Sequence, residues 1–432
     1  MTTTSSGPDP SVGSPGGEER SRLAEADAGT RPWRAWGPYV SERAWGTVRE
    51  DYSPDGSAWD HFPHEHARSR AYRWNEDGMA AVCDEQQTFC LGLALWNGAD
   101  PFLKERMFGL TGPQGNHGED AKEYWWYTDS TPTHSWMAWR YHYPQVRYPY
   151  EDLIEENGRR DGHDGEYELV DTDAFAGDRY WAVTVSYAKA APEDLCMVIE
   201  VTNHGPDTAT LHVLPTLWFR NTWSWGLPAH EDPDAGVAPV IRRDGGALLA
   251  EHRRLGRLRL VSSGPDGPDR RVGPDGPAGR RMLFCDNETI ADRLWGVPGR
   301  SAFPKDGIND HVVTGAPTVN PDERGTKAAV HHMVTVESGR SATIRVRLAT
   351  QPSGASATSR TSATSGWSGP LDLAGGFDAV VAARRAEADA YFDALAPSGV
   401  SADEALVLRQ ATAPTRTRPP SSSSTSRTSP RR

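Results

Sequence analysis

The chain has 432 residues, and its 46 Lys and Arg against 59 Asp and Glu leave a net charge of −13. This acidic balance argues against a sequence-independent nucleic-acid binder, which needs a basic face. No apolar run approaches the roughly 20 residues that span a bilayer, so we expect no membrane partner. The 16 Trp and 13 Tyr are enough to bury a sizeable core, which excludes wholesale disorder.

The amino-terminal residues 1–32 are mostly Ser, Thr, Gly, Pro, Glu and Ala, a composition that predicts a disordered leader. They contain no apolar stretch between a basic start and a cleavage site, so we expect no secretory signal. The four cysteines form neither a disulfide-dense framework nor a zinc-binding pattern. These features together predict a protein of the reducing cytoplasm.

Residues 33–352 are dominated by strand signals. Short runs rich in aromatic and β-branched residues alternate with clusters of Gly, Pro, Asn and Asp, which is typical of antiparallel strands. The clearest runs cover residues 78–96, 180–187, 195–202, 208–219, 328–337 and 341–350. Because no long helix lies between them, they predict a mainly β fold, a large antiparallel β-sandwich.

The carboxy-terminal part changes character after residue 352. Residues 353–370 are rich in Ser, Gly, Ala and Thr and predict a linker. Residues 371–411 predict a pair of helices, because apolar residues recur at helical spacing over 377–395 and Ser401 precedes Glu404 in a capping box. Residues 412–432 contain only Thr, Pro, Ser, Arg and one Ala, which fits either a disordered basic tail or an out-of-frame end.

Residues 41–150 contain the highest density of potentially functional side chains, with aromatic rings beside carboxylates, Asn and Arg. Ring faces stack on the apolar face of a pyranose, while charged and amide groups bind its hydroxyls, so this composition is typical of sugar sites. The His64-Glu-His66 spacing is not that of a zinc helix, and residues 116–120 fit a turn better than a calcium loop. With no phosphate-binding glycine loop before a helix, we expect neither metal nor cofactor.

Seven segments in one order resemble the amino-terminal half of bacterial proteins in glycoside hydrolase family sixty-three. These segments cover residues 42–52, 66–78, 94–98, 104–111, 118–124, 129–135 and 214–223. The resemblance extends over about residues 36–410. It is specific because all seven segments occur in the same order, whereas any one of them alone would be a weak match. It implies a super-β-sandwich packed against a carboxy-terminal (α/α)₆ barrel, in an enzyme that acts on α-glucosidic oligosaccharides.

In this family the barrel supplies the acid and base carboxylates of an inverting hydrolysis. No position of this chain matches them, so the resemblance implies a sandwich followed by the first helices of a missing barrel. We therefore expect a truncated, inactive hydrolase part with no catalytic residue of its own. The alternative is a stand-alone carbohydrate-binding or assembly module with the same sandwich.

Two polar loops, at residues 68–77 and 119–123, are too charged for a core. We expect them to face the oligosaccharide or the barrel, because buried charged groups need partners. The alternatives are an internal polar network or simple surface ion pairs. The candidate residues are Arg68, Arg70, Arg73, Trp74, Asn75, Glu76, Asp77, Glu119, Asp120, Lys122 and Glu123.

Overall fold

The computed structural model consists mainly of two large antiparallel sheets, which confirms the predicted β-sandwich. It describes residues 17–38, 68–71, 78–105, 123–161, 163–226, 228, 236–264, 272–273, 276–277, 280–351, 373 and 376–415. The predicted linker at 353–370 and the end of the chain from residue 416 lie outside the described residues.

Each of the six predicted runs contains one or two strands, seven in all, and the described residues add ten strands that the sequence pattern did not predict. In chain order they are β1 (Trp36–Pro38), β2 (Met79–Asp84), β3 (Phe89–Trp96), β4 (Trp125–Ser130), β5 (Trp136–Pro144), β6 (Tyr180–Ala191), β7 (Asp194–Asn203), β8 (Ala209–Phe219), β9 (Val240–Asp244), β10 (Ala247–His252), β11 (Gly256–Ser263), β12 (Val272–Gly273), β13 (Gly276–Pro277), β14 (Arg280–Cys285), β15 (Arg324–Gly325), β16 (Lys327–Val336) and β17 (Ser341–Gln351). The first sheet has six strands in the order β1-β2-β3-β8-β16-β14. The second has nine, in the order β15-β9-β10-β11-β17-β7-β6-β5-β4.

The core lies between the two sheets and is explained by the two-residue period of the strands. In β5, the side chains of Met137, Trp139, Tyr141 and Tyr143 point inward and are buried. The intervening residues, such as Trp136, point to the outer face of the nine-stranded sheet. Each sheet therefore has one face in the common core and one outer face that other segments can cover.

The described helices are α1 (Gly17–Asp27), α2 (Tyr150–Arg159), α3 (Ala291–Trp295), α4 (Gly307–Thr314), α5 (Phe377–Asp393) and α6 (Ala402–Thr415). Helix α5 buries Phe377 and Ala388 against Trp136, Ala188 and Cys196 on the outer face of the nine-stranded sheet. It matches the predicted helix over residues 377–395 to within two residues.

Helix α6 begins with the predicted capping box. The Glu404 backbone N–H donates to Ser401 Oγ at 3.2 Å, and the Ser401 backbone N–H donates to Glu404 Oε2 at 2.7 Å. The helix continues to Thr415, four residues beyond the predicted end at 411. Thr412 takes part in this last turn, since its hydroxyl donates to the Leu408 carbonyl at 2.9 Å.

The prediction of a disordered leader over residues 1–32 is wrong for residues 17–32, where α1 is folded against the sandwich. Glu19 is fully buried, and its Oε1 accepts hydrogen bonds from the Thr133 amide at 2.9 Å and the Thr133 hydroxyl at 2.7 Å. Arg22 reaches Glu387 of α5 at 2.5 Å. Composition does not reveal this helix because its buried face is ionic rather than apolar.

The four cysteines, Cys83, Cys90, Cys196 and Cys285, are all buried and free. Burial raises the pKa of Cys196 and of Cys285 to about 12. A thiol in that state carries almost no thiolate at neutral pH, so these side chains act as small core residues. None of the described helices combines the length and the apolar character needed to cross a membrane.

Candidate functional site

Three of the eleven candidate residues, Arg68, Arg70 and Glu123, fall within the described part of the chain. The remaining candidates lie outside the described residues, namely Arg73, Trp74, Asn75, Glu76, Asp77, Glu119, Asp120 and Lys122. Two of the three, Arg68 and Glu123, contact one short segment, residues 102–105, and Arg70 lies two positions from Arg68 in the chain.

The 102–105 segment is extended and pairs with the end of β3. Leu95 and Lys104 exchange both backbone hydrogen bonds, each 2.8 Å long. Because side chains alternate along extended chain, Lys104 and Glu105 point in opposite directions and meet different partners. Each of the two forms a buried ion pair.

Lys104 pairs with the candidate residue Glu123. Its Nζ donates to Glu123 Oε1 at 2.7 Å and to the Tyr150 hydroxyl at 2.6 Å, and it lies 4.1 Å from the centre of the Tyr148 ring. The Tyr141 hydroxyl donates to the other oxygen of Glu123. The two charged side chains are only 4% and 2% exposed.

The electrostatics of this pair follow from its burial. Desolvation opposes the charge of Lys104, but Glu123, Tyr150 and Asp100 together outweigh it and raise the pKa of Lys104 above its usual value. Nearby, burial raises the pKa of Asp100, although Lys104 opposes that shift. Lys104 therefore stays charged across the physiological range, and it anchors Glu123 in a fixed position.

Glu105 pairs with Lys327 on the outer face of the six-stranded sheet. The Lys327 Nζ donates to Glu105 Oε2 at 2.9 Å, and these side chains are 5% and 7% exposed. The Gly78 amide donates to the Glu105 carbonyl at 2.6 Å. The pair lines a small, partly open pocket together with Gly78, Leu93, Ala94, Thr216 and Trp218.

Gly78 is required at the wall of this pocket. Its φ of +89° is unfavourable for any residue with a side chain. A Cβ at this position would also lie 2.3 Å from the indole of Trp218. The Trp218 ring therefore packs directly against the backbone of Gly78, the residue that precedes β2.

Residues 68–71 contact the 102–105 segment at Phe102 and are held by Lys305 and Asp306. The Arg68 guanidinium lies 4.2 Å from the centre of the Phe102 ring. The Ser69 hydroxyl donates to Asp306 Oδ2 at 2.9 Å, and the Lys305 Nζ donates to the Arg70 carbonyl at 2.5 Å. The Arg70 guanidinium lies 5.8 Å from the centre of the Trp295 ring.

The structure thus brings the described residues of both polar loops to one place. Arg68 contacts Phe102, and Glu123 contacts Lys104, only two positions further along the same segment. The neighbouring Leu103 packs against Ala94 and Leu214, on the outer face of the six-stranded sheet. Helix α5 packs instead on the outer face of the nine-stranded sheet.

The Glu105–Lys327 pair was not among the candidates. Its partners are 222 residues apart, so only the order of the strands reveals the contact. A local signal exists at Lys327, which opens a strand whose next five residues are all buried. A lysine at such a position indicates a buried cation that needs a nearby carboxylate.

The motif at residues 129–135 has a structural role. It forms the turn between β4 and β5, in which His134 has a φ of +55°. The Ser135 hydroxyl donates to Glu19 Oε2 at 2.6 Å, and Asp129 pairs with Arg409 of α6. This turn therefore connects the sheet to helices from both ends of the described chain.

Within the described residues, no group of three His, Cys, Asp or Glu side chains is arranged to hold a metal ion. The described residues offer two buried ion pairs at the 102–105 segment and, next to residues 68–71, an arginine beside a partly exposed tryptophan. Trp295 is 53% exposed. Such a set can stack on a ligand and donate hydrogen bonds to it.

No protein-family model matches the chain. Over 360 residues it is 39% identical to an uncharacterized protein of Saccharomyces cerevisiae, in a match that covers 77% of this chain and 32% of that protein. The chain therefore spans about a third of the length of this curated relative.

Among solved structures, a putative aldose 1-epimerase from Escherichia coli K12 is similar with 11% identity and a TM-score of 0.22, covering 57% of this chain and 76% of that one. A polysaccharide lyase is similar with 13% identity and a TM-score of 0.24, covering 59% of this chain and 24% of that one.

Proposed function

We propose that the chain is a carbohydrate-binding β-sandwich of a glycoside hydrolase that acts on α-glucosidic oligosaccharides. The observation that carries this proposal is the convergence of Arg68 and Glu123 on the 102–105 segment. Arg68, Lys104 and Glu123 come from three of the sequence segments that resemble glycoside hydrolase family sixty-three. Segments distant in sequence therefore share one site, as expected of a binding surface assembled by the fold.

The site's chemistry suits a saccharide. Trp295 offers a partly exposed indole face for a pyranose ring, and Arg70 beside it offers donors for sugar hydroxyls. The contacts with Lys305 and Asp306 hold residues 68–71 in place, and a fixed backbone reduces the entropy lost when a ligand binds.

The described carboxylates of the site are unsuited to hydrolysis. An inverting pair needs two carboxyl groups about 6.5–9.5 Å apart across the sugar, one of them free to protonate the leaving oxygen. Glu105 and Glu123 are each paired with a lysine and almost fully buried. We therefore propose that carboxylates outside this site, in a helical catalytic barrel, break the glycosidic bond.

A second candidate function, an assembly module, is favoured by the surface of α6. Leu406 and Val407 are 50% and 59% exposed there, which is unusual for neighbouring large apolar residues on one helix. In the hydrolase proposal the barrel contacts this surface, and in the assembly proposal another protein does. The four reduced thiols support the cytoplasm as the location we propose.

The intact chain is expected to bind maltoheptaose without releasing glucose, as measured by isothermal titration calorimetry and a glucose assay. Trp295→Ala and Arg70→Ala are each expected to weaken binding about tenfold, because each removes a stacking or hydrogen-bonding group worth about 1.4 kcal/mol. Arg179→Ala is the control, since Arg179 is an exposed arginine in a surface ion pair with Asp207.

Two results would count against the proposal. One is the absence of maltoheptaose binding by a folded chain. The other is binding that Trp295→Ala and Arg70→Ala leave at the strength of the Arg179→Ala control.

A further inference from the structure

Five aromatic side chains form a closed cycle of ring contacts at one end of the nine-stranded sheet. They are Tyr124, Trp126, His142, Tyr180 and Phe175. Neighbouring ring centres are 5.0–6.3 Å apart around the cycle. We call this cluster the aromatic platform.

The platform lies on the outer face of the sheet. Trp126 is opposite Arg140 in the β4–β5 register, and His142 is opposite Ala182 in β6. Since Tyr141 and Trp181 point into the core, these neighbours point away from it. Helix α5 covers the same face near Trp136, at the other end of β5. Trp126, on the edge strand of the sheet, remains 43% exposed.

The rings are held in place by their neighbours. His142 and Tyr180 are half-buried, and Tyr180 stacks on His204 with ring centres 4.6 Å apart and planes within 5°. The Arg140 Nε donates to His142 Nε2 at 3.0 Å. Burial, with Arg140 and His204 adding to it, lowers the pKa of His142 to about 4, so this imidazole is neutral near pH 7.

The charge of the platform selects among ligands. Aromatic faces carry negative electrostatic potential, so an anion gains nothing by stacking on these rings, although Arg140 attracts it. The Arg140 guanidinium beside His142 repels cations such as quaternary ammonium groups. A neutral saccharide meets neither obstacle, because its C–H groups lie against ring faces and its hydroxyls accept from the exposed guanidinium.

We infer that the aromatic platform is a second binding site for neutral oligosaccharides, with Trp126 as the stacking ring and Arg140 as the hydrogen-bond donor. It shares no residue with the site at the 102–105 segment. Two saccharide sites on one chain would let it hold a long or branched glycan at two points, which strengthens overall binding through effective concentration.

The test uses the full chain labelled with 5-fluorotryptophan and observed by fluorine NMR. The Trp126 resonance is assigned by its loss in Trp126→Phe. Titration with maltoheptaose, and separately with cellohexaose, is expected to shift this resonance saturably for at least one of them. Arg140→Ala is expected to weaken that binding about tenfold, and Trp295→Ala is expected to leave it unchanged.

Three outcomes would overturn the inference. The Trp126 resonance could stay unmoved by both oligosaccharides in the folded protein. Tetramethylammonium could shift it while the saccharides do not. Alternatively, the resonance could depend on protein concentration alone, which would identify the platform as a contact between copies of the chain. Because the Trp126 signal is read separately, failure here leaves the Trp295 site independently testable.

Discussion

Replacement of Lys189 by methionine is expected to lower the free energy of unfolding by about 3 kcal/mol. The Lys189 side chain is fully buried, and its Nζ donates to the carbonyl oxygens of Trp33, Trp36 and Thr133. Methionine keeps the apolar stem but removes the donors, so three buried acceptors lose their partner. Residues 17–38 are expected to detach from the sheet first, because two of the three acceptors belong to them.

Urea unfolding measures the total loss, and hydrogen exchange of residues 17–38 measures the local one. Arg179→Met is the control, since it removes an exposed ion pair and is expected to change stability by less than about 0.5 kcal/mol. Equal stability of the two variants would contradict the role assigned to Lys189.

The same variant tests the sign of the pH dependence. Burial lowers the pKa of Lys189 to about 7 in the folded chain, with Glu19 opposing the shift, whereas an unfolded lysine titrates near about 10.4. Between these values the unfolded chain binds a proton that the folded chain does not. The wild type therefore gains up to about 1.4 kcal/mol per pH unit above about pH 7, and Lys189→Met lacks this gain.

Glu105→Ala is expected to destabilise the chain by about 3–5 kcal/mol, because it leaves the buried ammonium of Lys327 without this carboxylate. Adding Lys327→Met is expected to recover part of the loss, since it removes the buried ammonium that has lost the Glu105 carboxylate. A double-mutant cycle from urea unfolding gives the coupling between the two residues.

The matched control is an exposed pair, Arg147 and Glu151, whose side chains are 58% and 65% exposed. Glu151→Ala is expected to cost about 0–1 kcal/mol. If Glu105→Ala cost no more than this control, the buried pair would not be the base of the candidate site.

Seven of the described strands are predictable from the sequence, because their apolar residues lie in the core between the two large sheets. Two sequence patterns mark these strands: apolar residues either follow one another or alternate with polar residues. They occur in the hairpin of β2 and β3 and in the long strands β6, β7 and β8. Helix α1 is not predictable in this way. It is attached through Glu19 and Arg22, and ionic attachment leaves no apolar period in the sequence.

The candidate site could be predicted only in part. Glu123 is a recognisable candidate because a charged residue in an aromatic segment needs a partner. Its partner, Lys104, cannot be identified locally, because it depends on the pairing of the 102–105 segment with β3. Lys327 becomes a neighbour of Glu105 only because β16 lies beside β8 in the sheet. Such long-range pairing is a property of the sheet order, which local patterns do not encode.

A crystal structure of the intact chain grown with maltoheptaose tests the carbohydrate-binding function most directly. Saccharide density is expected against the Trp295 indole, with hydroxyls within hydrogen-bond distance of Arg70, beside the segment that Lys104 and Glu105 anchor. A well-ordered structure at saturating saccharide with no density at Trp295 or at the aromatic platform would contradict that function.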